Sequence, residues 1–90
     1  MTKSIHSALS DVFRERVKVL REKANMTQRD LAAALGREHG MVARIELGER
    51  RVDLIEAYQL FQALGVSPEK EAAGLMRSFG KAIQSVHEAT

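Results

Sequence analysis

Ninety residues carrying a formal net charge of +2 make a single domain, near the lower end of what buries a stable core unaided. The chain has no cysteine, which excludes disulfides and thiolate metal sites, and no apolar run approaches the roughly 18 residues of a membrane span. Aromatic residues are limited to Phe13, Tyr58, Phe61 and Phe79, so the core must be built from Leu, Val, Ile, Ala and Met, which favours packed helices over a sheet.

The first helix is expected over Asp11–Ala24, where Phe13, Val17, Leu20 and Ala24 share one face, and Asn25 suits a left-handed stop. Residues 1–10 are left as an N-terminal arm. They lack the apolar stretch of a signal peptide, so a cytoplasmic protein is expected. Thr27 caps a short second helix, with Asp30 in the capping-box position and Leu31, Ala32 and Leu35 as its apolar stripe; Gly36 ends it. A third helix follows from about Glu38 to Leu47, with Met41, Val42 and Ile45 apolar and Gly48 as the stop. Gly40 near its start is a poor helix former, about 1 kcal/mol worse than Ala. Asp53 and Glu56 repeat the capping pattern for a fourth helix, whose apolar positions are Leu54, Ala57, Tyr58, Phe61 and Leu64, closed by Gly65. Ser67-Pro68 opens a fifth helix with a capping serine and proline at the first helical position. The expectation is an all-α, five-helix domain over residues 11–80, with residues 81–90 as a tail or a dimerisation extension.

Charge is distributed unevenly. Residues 1–52 carry 11 Lys/Arg against 7 Asp/Glu, and residues 53–90 carry 3 against 5. A polyanion would therefore meet the N-terminal half. That half also contains two short helices joined by a tight glycine-containing turn, the arrangement in which one helix braces on DNA backbone while the next enters the major groove.

From Met26 to Gly48 the chain reads MTQRDLAAALGREHGMVARIELG, followed by ERRVDLIEAYQLFQALGVSP from Glu49 to Pro68. Without needing a gap, this resembles the Cro and phage-repressor (XRE-like) helix-turn-helix family, and with the first helix the likeness covers about residues 11–79. It implies a lambda-repressor-like fold and sequence-specific binding of double-stranded DNA. It places Gln28 at a phosphate and Ala32 where the two helices approach closely. It puts Glu38, His39 and Gly40 at base edges, with Ala43 and Arg44 one turn further in. Arg44 is the best placed for direct readout, since its guanidinium can donate twice to guanine O6 and N7, with a phosphate contact as the competing role. His39 has a guanine, a phosphate or plain solvent open to it, and Glu38 faces phosphate repulsion unless it accepts from a cytosine amino group. Gly40 removes a side chain where the family usually has a polar one. Arg50 and Arg51, in the loop after the reading helix, match family phosphate contacts, and Arg37 is a further candidate of the same sort. Arg21 and Glu46 match a family salt bridge between the first helix and the end of the third.

Three scattered histidines, no glycine-rich phosphate loop and no metal-ligand spacing give no support to an enzyme, a metal site or a cofactor. No small-molecule effector site is evident either. A module this small buries too little surface to select one genomic site alone, so a homodimer on a near-palindromic operator is expected, acting as a repressor. Met76, Phe79, Ile83 and Val86 follow the spacing of a paired-helix seam and are the candidate interface; the other reading is that Gly80 breaks the helix and a frayed tail follows. The alternative function is an antitoxin-like or bridging module that uses the same fold on a protein partner.

Overall fold

The computed structural model describes residues 5–89, which form five helices and no strand. They are α1 (Ile5–Lys23), α2 (Gln28–Ala34), α3 (Gly40–Glu46), α4 (Leu54–Ala63) and α5 (Pro68–Ala89). The all-α class and the lambda-repressor-like order of elements agree with the sequence.

The stops and caps operate as local chemistry requires. Asn25 turns the chain out of α1 at φ 62°. Gly36 sits at φ 67° between α2 and α3, a left-handed conformation that a Cβ disfavours. The Thr27 side chain accepts from Asp30 N–H while the Asp30 carboxylate accepts from Thr27 N–H; Asp53 and Glu56 do the same for α4. Ser67 Oγ accepts from Lys70 N–H at 3.2 Å at the start of α5.

One core runs through all five helices. Val17 and Leu20 of α1, Leu31 and Ala32 of α2, Met41, Val42 and Ile45 of α3, Leu60 and Phe61 of α4, Leu64 just beyond it, and Leu75 of α5 are buried together. Phe13 meets Phe61 edge to face at 6.5 Å between ring centroids, a geometry worth about 0.5–1.5 kcal/mol beyond area burial. Arg16 donates twice to Glu71, at 2.8 and 3.0 Å, fastening α1 to α5.

Five boundaries or faces differ from expectation. α1 begins at Ile5 rather than Asp11, so residues 5–10 of the expected arm are helical; residues 1–4 lie outside the described residues. Ala8 is buried and Leu9 and Val12 are half-buried, continuing the apolar face of α1 toward the N-terminus. Ala24, expected on that face, is exposed in the turn after α1. α5 runs through Gly80 to Ala89, so the break expected there as one alternative does not occur. α3 begins at Gly40 rather than Glu38, with His39 at the cap position making no side-chain capping hydrogen bond. On α4, Leu54 and Tyr58 are exposed at 80% and 53%, whereas Ala57 and Phe61 pack inward.

Candidate nucleic-acid interface

α2 and α3 are seven residues each, too short to be stable by themselves. Their positions come from packing and from Glu46. Its carboxylate accepts from Arg21 Nε at 2.6 Å and Arg21 Nη2 at 3.0 Å, and from Gln28 Nε2 at 3.0 Å. Arg21 Nη1 also donates to the Met26 carbonyl at 2.8 Å. One acidic side chain thus joins α1, the start of α2 and the end of α3, with only 12% of Arg21 and 6% of Glu46 exposed. The paired carboxylate raises the Arg21 pKa above its ordinary value. Arg14 closes the other side of the same helix end: Nη1 donates to the Glu46 carbonyl at 2.8 Å while Nε donates to Asp11 at 2.9 Å. A cation at that place complements the helix C-terminus.

With Met41, Val42, Ile45 and Glu46 turned inward, α3 and its flanks present Glu38, His39, Arg44 and Leu47 outward. Gly40 and Ala43 lie between the two sides, half-buried. Arg44 donates to the Glu38 carboxylate. The exposed stripe is adjoined by Arg37 and by the loop carrying Arg50 and Arg51.

This outward face, held on a buried ionic hinge between two short helices, is matched along the sequence as well. The sequence profile of the helix-turn-helix family covers residues 17–70, more than half of the chain. The chain belongs to the Cro/XRE-type helix-turn-helix family. No curated protein and no solved structure matches it. A helix-turn-helix domain of this type binds DNA and serves transcription regulation; in its frame α2 is the bracing helix and α3 the recognition helix.

The residues expected at DNA are not equally disposed. Glu38, His39 and Arg44 lie on the outer side of the recognition helix, with Gly40 in the same turn. Gln28 is half-buried and its amide points at Glu46, away from a purely external role. Arg50 donates to Glu56 at 3.2 and 2.7 Å and to the Arg51 carbonyl at 3.1 Å, and Arg37 donates to Glu56 at 3.5 Å. Both arginines therefore share one acid. Its pKa is held below the ordinary 4.5, chiefly by the hydrogen bond from Arg50 and then by the Asp53 N–H, and the Arg50 pKa is raised in turn. Arg51 lies exposed beside them.

Sequence reasoning missed three participants. Leu47, 68% exposed, follows Arg44 by three residues on the outer side, and that spacing was readable. The Asp11–Arg14 pairing was readable at its i, i+3 spacing, but not the reach of Arg14 to the Glu46 carbonyl. Glu56 was read only as a capping acid, since nothing local announces its two arginines.

A separate apolar groove of about 550 Å³ lies between α1, the start of α4 and α5. Phe13, Ala57, Phe61, Leu75 and Phe79 line it, and the exposed Leu54, Tyr58 and Met76 stand on it. Of the expected seam, Met76 is 60% exposed, while Phe79, Ile83 and Val86 are half-buried within the single chain.

Proposed function

We propose that the protein is a sequence-specific, homodimeric transcription repressor that reads a near-palindromic operator through α3. The observation that carries this reading is the division of α3 into an inner side locked by Glu46 and an outer side on which an arginine stands at the middle of the helix. Arg44 donates to a guanine; Leu47, next along the outer side, offers the apolar contact that a thymine methyl takes. Arg51, Arg50 and Arg37 hold phosphates on either side of the groove, and Gln28 steadies Glu46 as well as facing the backbone. For Arg37 and Arg50, sharing Glu56 in the free protein means that a phosphate must replace part of that pairing.

The dimer contact is assigned to the α4–α5 groove. Leu54, Tyr58 and Met76 project where Phe13, Phe61 and Phe79 leave a recess, which suits an isologous contact in which each copy supplies both parts. The rim carries Asp53 and Glu69 beside Arg14, Arg50 and Arg51; with Arg50 and Arg51 given to phosphates, the contact rests on the apolar residues. The soluble, cytoplasmic setting expected from the sequence accords with a DNA target.

Arg44→Ala should lower the preference for the best duplex over a duplex changed at one guanine, whereas Arg50→Ala with Arg51→Ala should weaken binding to all sequences and flatten its dependence on salt. Titration of each variant against both duplexes at two salt concentrations separates these effects. An unchanged salt slope in the double variant contradicts the phosphate assignment.

A further inference from the structure

Arg44 does not extend straight into solvent. Its Nη2 donates to the carboxylate of Glu38, and its Nη1 lies over Gly40, so close that a Cβ added there would come to 2.8 Å from it. Helical side chains lean toward the N-terminus of their helix, which carries the guanidinium back along the first turn of α3. Gly40 is not among the glycines with positive φ, so its backbone gives no reason for the missing side chain. A side chain there would meet the tip of Arg44, which would have to shift aside. The two unusual residues at the start of the recognition helix, an acid at 38 and a glycine at 40, therefore serve the same guanidinium.

We propose that Glu38 is a positioning residue for base recognition, which holds Arg44 over Gly40 in one orientation, facing a guanine, and withholds it from phosphates. The proposal rests on the reading of α3 as the recognition helix. Arginine has five N–H donors in a rigid fork. One goes to Glu38, and the bidentate contact with guanine O6 and N7 needs only two. An arginine without such an acid takes any phosphate within reach, a contact that carries no sequence information, and the negative charge of Glu38 also weakens general attraction to the backbone. The pair thus lowers affinity for arbitrary DNA while keeping the arginine ordered for the correct base.

The test measures equilibrium binding, by fluorescence anisotropy, to the duplex best retained by the wild type and to the same duplex with the contacted guanine replaced. Glu38→Gln keeps the shape and removes the charge. Gly40→Ala keeps the charge and obstructs the seat. Each should lower the ratio of the two affinities by up to about fivefold, the upper end of what an exposed ion pair contributes. Gly40→Ala should do so without lowering the thermal unfolding temperature, since alanine is the better helix former. In an Arg44→Ala background, Glu38→Gln should change the ratio no further. A Glu38→Gln protein that discriminates as well as the wild type overturns the proposal while leaving the recognition-helix reading intact. So does a loss that persists without Arg44, which would mark simple charge repulsion. A wild type with no preference between any duplexes overturns the recognition-helix reading and the proposal with it.

Discussion

Glu46 accepts three side-chain hydrogen bonds from two partners and carries the placement of the recognition helix. Removing it leaves Arg21, with 12% of its side chain exposed, short of its counter-ion. Loss of one partner from a largely buried pair costs roughly 3–5 kcal/mol, a large part of the stability of a small domain. Glu46→Ala should therefore lower the urea unfolding midpoint severely and abolish DNA binding through loss of fold; a change under about 1 kcal/mol would show that the pair is not holding the helices. Arg21 and Glu46 were legible from the family likeness, although 25 residues separate them. Gln28 was legible only in part: its position beside the cap pointed outward to a phosphate, and nothing local shows its amide turning to Glu46. The two residues that looked weakest in the recognition helix, Glu38 and Gly40, make sense only once Arg44 is seen lying between them.

Among the elements, the boundaries set by short-range chemistry were readable and those set by packing were not. Thr27, Asp53 and Ser67 cap where their side chains predict, and Asn25 and Gly36 stop their helices by adopting positive φ. The continuity of α5 has no comparable signal. Ser4 before Ile5 was not read as a cap, and Gly80 argues locally for a break; packing of α1 against α5, fastened by Arg16 and Glu71, is not a local signal. Leu54 and Tyr58 misled the reading of α4 because apolar residues also stand exposed on the surfaces of folded proteins.

Acid sensitivity belongs at the same scale. The pKa of Glu56 is lowered by Arg50, and that of Glu71 by Arg16, from an ordinary value of 4.5. A carboxylate lowered in the folded state stabilises the protein above its unfolded pKa, and the contribution is lost as pH falls through the folded one. Stability toward urea should thus hold near neutrality and decline from about pH 5 downward, with the decline flattened in Glu56→Gln plus Glu71→Gln. Unfolding midpoints measured across that range check it, and an identical decline in the double variant would place the acid sensitivity elsewhere.

At the scale of the whole molecule, the proposed function depends on repeating this small unit. One domain offers one recognition helix; in the proposed dimer two would lie about 34 Å apart in successive major grooves, joined through the exposed apolar positions of α4 and α5. In that arrangement the N-terminal half, with its excess of basic residues, would meet the phosphates. The most direct measurement is selection from a pool of random duplex DNA by the purified protein at two salt concentrations, with sequencing of what is retained. Enrichment of an inverted repeat, with half-site centres about one helical turn apart and binding that weakens steeply with salt, is the predicted result. Retention of no sequence above background would contradict it and assign the fold to a protein partner instead.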